Sequence, residues 1–376
     1  MTAPQLALYL HFPWCVRKCP YCDFNSHPLN DPLDEGAYLA ALFEDLEDQL
    51  GSQPEVEITS IFFGGGTPSL FSPDTFARIL ERLTGYLTQD AEITLEANPG
   101  TTEHHDLGSY RAAGINRVSF GAQSFDDAQL KTLGRIHQAA ETFRSVDAAR
   151  KGGFGNINLD LMYGLPGQSP REAAADLQTA LSLDPEHLSW YQLTLEPRTE
   201  FARRPPMLPV DIMMEEIERR GYALLADAGF ARYEVSAYAR PGRECRHNLN
   251  YWSFGNYLGA GAGAHGKLTA PPTGDSRARF IRTVKPRQPR LYLAAPRNIT
   301  RASIEVADLP GEFMLNALRL VEGVSHDTFQ QRTGLSLGAL EPARTQQIER
   351  GLLRADRLAA TPRGYAMLDG LVTAFL

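Results

Sequence analysis

No stretch of this 376-residue sequence approaches about 18 uninterrupted apolar residues, so nothing in it reads as a membrane span. The opening MTAPQLALYLHFPW has no basic n-region, and His11 and Pro13 interrupt any signal-peptide core. These absences predict a cytoplasmic protein. Positive charge is short as well: 37 Lys and Arg stand against 45 Asp and Glu, a formal net charge of −8. Sequence-independent nucleic-acid binding needs a basic footprint, so no nucleic-acid partner is expected. Internal repeats and low-complexity segments are missing too. Cysteine is the most telling shortage. There are four, and in a reducing compartment so few point to metal or redox chemistry rather than to a disulfide framework.

What is present is ordinary in bulk, with 43% hydrophobic and 22% charged residues, in a chain long enough for one large domain and a smaller one. The first two thirds alternate β-rich runs with amphipathic helical stretches. LALYLHF leads into AYLAALFEDLEDQL. ITSIFFGGG leads into a helix opened by Ser72-Pro73, with Pro at the first helical position. AEITLEANP precedes a helical stretch ending at Gly114. RVSFGAQS, INLDLMYGLP and HLSWYQLTLEP complete six strand–helix units. Such alternation predicts an α/β fold with a parallel sheet, here an incomplete (β/α)6 barrel.

Unusual residues cluster at the strand ends: Gly64-Gly65-Gly66-Thr67-Pro68, Glu96-Ala97-Asn98-Pro99, Gly121-Ala122-Gln123-Ser124, Asp160, then Thr194 and Glu196. The C-terminal ends of parallel strands form one rim, and active sites sit there. After about residue 236 the periodicity fades. GAGAGAHG reads as a turn-rich segment, with no strand–helix frame for a phosphate loop. From Arg277 to Arg290 there are six basic residues and no acid, either a solvated connector or a contact for an anionic ligand or membrane surface. Helices and a short hairpin, RLAATPRGYAML, suggest a small, mainly helical, winged-helix-like C-terminal domain. Its nine Arg and nine acids beyond Leu291 weaken a DNA-binding role. The expected division is residues 1–235, 236–298 and 299–376.

Cys15, Cys19 and Cys22 fall within eight residues, and the fourth cysteine, Cys245, lies far downstream. Inert structural thiols are one reading. Structural zinc is another, completed by Cys245, His11 or His27, none at usual finger spacing. The third is an iron–sulfur cluster with one iron left open. Cubane clusters usually take four thiolates, so an iron lacking one must bind something else.

C-x3-C-x2-C with an aromatic before the last Cys, Tyr21, resembles the signature of radical S-adenosylmethionine (SAM) proteins, and the GGGTP run strengthens the match. The resemblance implies a [4Fe-4S] cluster on Cys15, Cys19 and Cys22. Its open iron would be chelated by the amino and carboxylate groups of SAM, whose reductive cleavage yields a 5′-deoxyadenosyl radical. Glycines at the second strand end are expected to let the backbone approach SAM closely.

Over nearly its full length the chain is similar to the oxygen-independent coproporphyrinogen III oxidase family, through Tyr9, the Cys loop, GGGTP, LEANPG, SFGAQSF, LGRIHQ and NLDLMYGLPGQ. That similarity implies that Tyr9 contacts SAM beside the cluster and that Tyr21 stacks near its adenine. Gly66, Thr67 and Pro68 would shape the methionyl pocket. Glu96, Gln123, Arg135 and Asp160 would hydrogen-bond its amine, carboxylate and ribose, with Thr194 beside them. The plainer alternative for Glu96, Asp160 and Arg135 is a set of rim ion pairs.

Two departures stand out. Phe24 occupies the place of the oxidase's fourth Cys, and the oxidase has a longer N-terminal extension. Both features match the haem-chaperone branch of the family, HemW. His247, Asn248, Tyr251 and Trp252 in CRHNLNYW match that branch's haem signature, which implies an axial imidazole from His247, with Cys245 a weaker alternative. Aromatics suit a flat macrocycle, and Asn248 is placed to orient the ring. Alone, such a His is as readily a satisfied structural residue. The branch implies transfer of haem to acceptor proteins, respiratory haem enzymes among them, and a homodimer. The competing reading is the oxidase itself, decarboxylating coproporphyrinogen III to protoporphyrinogen IX.

Overall fold

The computed structural model describes residues 4–51, 55–101, 105–270 and 278–376. Arg277, Pro271 and Pro272 therefore lie outside the described residues. The strands are β1 (Gln5–Phe12), β2 (Glu57–Gly65), β3 (Leu87–Ala97), β4 (Arg117–Gln123), β5 (Ile157–Tyr163), β6 (His187–Gln192), β7 (Ala231–Arg232), β8 (Ala237–Ala239), β9 (Tyr257–Ala260), β10 (His265–Ala270), β11 (Arg279–Val284) and β12 (Thr300–Ile304). They make one sheet in the order β12-β11-β10-β9-β1-β2-β3-β4-β5-β6-β8-β7. Each neighbouring pair from β1 to β6 is parallel. The six expected units thus stand side by side in chain order.

Helices α1 (Glu35–Gly51), α2 (Pro73–Leu83), α3 (Leu107–Ala112), α4 (Ala139–Lys151), α5 (Pro170–Ser182) and α6 (Asp211–Asp227) follow these strands in turn. Along β1 the side chains alternate between two faces. Leu8, Leu10 and Phe12 join Tyr38, Leu42, Phe63 and Phe76 in the main core. The intervening residues face the barrel interior, where Tyr9 lies near Phe62 and His247. That interior is unusually polar: Ser60, Glu92, Arg117, Ser119, Asn158 and His187 are all buried. Ser72 opens α2 as expected, yet its N–H and hydroxyl bond Glu35 Oε2 of α1 at 3.0 and 2.7 Å instead of capping α2.

The sheet does not stop at six strands. β9 pairs in parallel with the outer edge of β1, from Ala7↔Tyr257 to Leu10↔Ala260. β10, β11 and β12 then continue antiparallel. The segment expected to be a connector is a sheet extension. An exposed edge of β1 demands hydrogen-bond partners, and the Gly-rich run supplies a backbone slim enough to provide them. Lys285, in the expected basic connector, is fully buried and ion-paired with Asp45 of α1.

Beyond β12, α8 (Leu309–Ala317) and α9 (His326–Thr333) build a second core with Leu340, Leu353, Leu358 and Leu371 around Phe313. The hairpin expected over residues 357–368 is not a strand pair. Single antiparallel bridges join Leu353 to Ala360 and Val324 to Leu358. Pro362 then starts a short helix, Pro362–Tyr365, with Thr361 Oγ1 capping Gly364 N–H at 3.1 Å. Proline suits that first helical position and cannot donate in a ladder. Among the described residues no helix is long and apolar enough to cross a membrane.

Candidate functional site

The rim of β1–β6 encloses a cavity of about 500 Å³. Cys15, Cys19, Tyr21 and Cys22 line one side, from the loop after β1. Gly66, Thr67, Pro68, Glu96, Gln123, Arg135, Asp160 and Thr194 line the rest. Eleven predicted residues and the Cys triplet's aromatic therefore face one space, although they come from six strands and the loops that follow them.

The Cys loop is held from several directions. Lys18 Nζ donates to Phe24 O and Ser26 O at 2.9 and 3.2 Å. Asn25 Nδ2 reaches Ala262 O and Arg287 O, both at 2.9 Å. All four cysteines are free. Burial pushes the Cys15 thiol up to about 11, and raises that of Cys22. Among the described residues no three His, Cys, Asp or Glu converge as tightly as one metal ion requires.

Opposite the thiols, Glu96 Oε2 accepts from Gly65 N–H at 3.1 Å. Burial, then Asp160, push Glu96 up to about 7. Asp160 accepts from Asn158 Nδ2 at 2.8 Å and Ser119 Oγ at 3.3 Å, and burial raises it. Arg135 donates to Gly121 O at 2.7 Å and meets Cys19 Sγ at 3.8 Å, so it is not paired with either carboxylate. The rim ion-pair alternative does not hold. Gln123 has φ 68° and accepts from Tyr191 OH at 2.7 Å. A non-glycine residue held in that region is strained, as is common at functional sites. Thr194 Oγ1 donates to Glu196 Oε1 at 3.0 Å.

The glycines, which also line the cavity, have a packing role that the sequence did not reveal. A Cβ on Gly66 would lie 2.3 Å from Trp14 O, and Gly65, at φ 117°, covers the His11 ring. Their missing side chains make room for β1 and its loop. Tyr9 is displaced from its expected role as well: it lies off the cavity wall, its hydroxyl 3.0 Å from His11 Nδ1. His11 Nε2 meets Asn25 O at 2.8 Å. A carbonyl only accepts, so Nε2 carries the proton and Nδ1 accepts from Tyr9. Tyr9 thereby steadies the Cys loop from below. Asn98, Ser119, Met162 and Tyr191 also line the cavity. Asn98 belongs to the strand-end cluster already noted; sequence reading missed the other three, although strand alternation puts Ser119 and Tyr191 on the inward face with Gln123 and Ser189.

His247 sits at the opposite end of the barrel interior, on α7 (Arg246–Trp252). It is buried, 1% exposed, with Nδ1 3.0 Å from Ser60 Oγ and Nε2 3.0 Å from Tyr251 OH. Burial, then Arg117, hold it near 3, a neutral imidazole. The imidazole expected to be open to iron is satisfied at both nitrogens, and Ser60 and Tyr251, not Asn248, orient it. Cys245 bonds Glu92 Oε1 at 3.5 Å, and burial pushes it up to about 12. Tyr251 and Trp252 border a second cavity of about 230 Å³, between β10–β11 and α8.

A partial parallel barrel with three free thiols at the mouth, in the loop after its first strand, is the architecture of a radical SAM protein. The radical SAM superfamily profile matches residues 9–180, and that of the HemN C-terminal domain matches residues 304–367. "Heme chaperone HemW" of Escherichia coli strain K12 is 45% identical over 99% of this chain and 98% of its own length. A mouse protein named "Radical S-adenosyl methionine domain-containing protein 1, mitochondrial" is 37% identical, over 100% and 88% respectively. The solved coproporphyrinogen III oxidase (HemN) from Escherichia coli superposes with a TM-score of 0.80 at 21% identity, covering 99% of this chain and 90% of that one. This chain belongs to the HemW family within the radical SAM superfamily.

Proposed function

We propose that the protein is a haem chaperone that carries a SAM-ligated [4Fe-4S] cluster, binds haem and hands it to acceptor proteins. One observation carries the cluster half of this reading: a single cavity sets three free thiols against Glu96, Gln123, Arg135 and Asp160. Cys15, Cys19 and Cys22 would hold the cluster, which would supply an open iron and a low-potential electron. A cationic sulfonium ligand with an amine and a carboxylate suits this wall. Glu96 and Asp160 offer acceptors, and Arg135 offers the one cation. Tyr21 would stack near the adenine, with Gly66, Thr67 and Pro68 below the methionyl chain and Thr194 at the open edge. Tyr9 acts through His11.

Haem binding rests on family membership and on His247, a neutral imidazole and so the ligating form. Its Nε2 is covered by Tyr251 OH at 3.0 Å, so ligation requires that hydroxyl to swing away. The division at residues 235 and 298, a cytoplasmic location, respiratory haem enzymes as acceptors, a homodimer and peripheral membrane contact belong to the same reading.

The test is anaerobic reconstitution with iron and sulfide analysis and EPR. We expect about four irons per chain and a reduced-cluster spectrum that SAM perturbs. Zinc in place of iron, or a spectrum indifferent to SAM, would overturn the assignment. The oxidase remains a second reading because the fold matches HemN closely. Conversion of coproporphyrinogen III to protoporphyrinogen IX by the reconstituted protein would decide for it.

A further inference from the structure

The second cavity has no part in the cluster chemistry. It is lined by Tyr251, Trp252, Tyr257, Lys267, Arg282 and Asn316. Lys267 is 4% exposed, and its Nζ donates to Phe254 O at 3.1 Å while sitting 3.9 Å above the Phe254 ring. Among the described residues it has no ion-pair partner. Burial, then Arg332 and Arg282, pull it down to about 7. Only Glu312 offsets these cations, and it pairs with Arg282 Nη2. Arg282 also hydrogen-bonds the Tyr257 side chain, and its five N–H groups leave donors over for a carboxylate. Trp252 Nε1 is buried without a hydrogen-bond partner. A buried Lys and an unpaired donor are costly unless something anionic completes them.

The aromatic walls narrow the ligand class. Tyr251, Trp252 and Tyr257 line it, with Tyr251 and Tyr257 meeting edge to face at 4.5 Å. At about 230 Å³ the space falls below the roughly 300–1,000 Å³ of whole-ligand pockets. It fits the acidic margin of a flat aromatic ligand, with the rest lying outside. Tyr251 also joins this space to His247 Nε2, so a ligand entering here meets the hydroxyl that must move. We infer that the cavity takes the carboxylate edge of the haem, with Lys267 and Arg282 as the carboxylate partners. This inference rests on the haem reading above.

The experiment is a Soret titration of the full-length protein with ferric haem and with its dimethyl ester, whose carboxylates are blocked. The variants are Lys267→Met and Arg282→Gln. Each lost charge-assisted contact should weaken haem about tenfold or more. The dimethyl ester should bind wild type and variants equally weakly. Arg282 is 40% exposed, so Arg282→Gln keeps the test informative should Lys267→Met fail to fold. If haem and ester bind wild type alike, or both variants bind haem as wild type does, the carboxylate site is overturned and haem binding stands. If wild type gives no Soret change, the haem reading falls and this site with it.

Discussion

Both ring nitrogens of His247 are in use, so haem ligation must compete with a hydrogen bond already made. Such a bond is worth about 1 kcal/mol net. Tyr251→Phe frees Nε2 without removing the ligand, so haem should bind about fivefold tighter, read from the Soret band. His247→Ala should lose most of that band, and normal binding by that variant would remove His247 as the ligand. At the other end, Glu96 titrates near 7 because burial and Asp160 disfavour its charged form. Ionised Glu96 is the disfavoured state in the folded chain without a bound cation. Stability therefore falls as pH rises from the ordinary glutamate range through about 7. A bound cationic sulfonium ligand favours that charge, so SAM affinity should rise between about pH 6 and 8 in wild type and stay flat in Glu96→Gln. Isothermal titration at several pH values separates the two.

Among elements, the junction of α1 with the β9–β11 extension depends on a buried pair. Lys285 and Asp45 are 1% and 0% exposed, with Tyr292 OH donating to Asp45 at 2.9 Å and Gly261 N–H at 3.1 Å. Lys285→Met leaves Asp45 charged and uncompensated, which costs about 3–5 kcal/mol. Pairing it with Asp45→Asn should restore much of that loss in urea denaturation. A single variant as stable as wild type would contradict the reading. The contact between β2 and the Cys loop is equally unforgiving. Gly66→Ala sets a methyl 2.3 Å from Trp14 O, and overpacking of that kind costs about 1–3 kcal/mol. Because Thr67 N–H bonds the same carbonyl at 2.7 Å, this variant should also retain less iron after reconstitution.

Over the whole molecule, the mouth cavity and His247 lie at opposite ends of one polar barrel interior. The proposed haem-binding segment sits where that interior meets the C-terminal core, since Leu249 and Trp252 pack against the Phe313 cluster. Cluster and SAM should therefore stabilise the fold together. With SAM at about 100 times its Kd, the cluster-loaded protein should gain roughly 2.7 kcal/mol in unfolding free energy. Cluster-free protein should gain far less, and equal gains would contradict docking of SAM on the cluster.

Much of this was legible in the order of residues. Period-two strands, their helices and the C-x3-C-x2-C spacing determined the parallel barrel, its rim and the family, because these signals are local and repeat along the chain. Other features depended on contacts far apart in sequence. The stretch Tyr257–Ala260 became a strand because the β1 edge needed a partner, while the Gly-rich run turns at residues 261–264 as expected, and the 357–368 hairpin gave way to a helix that Pro362 starts. Tyr9 moved beneath the Cys loop to hold His11. His247 lost its open nitrogen to Tyr251 and Ser60, the latter 187 residues away. Only packing decides which nitrogen is covered, since burial forces every polar group to find a partner wherever the fold brings one.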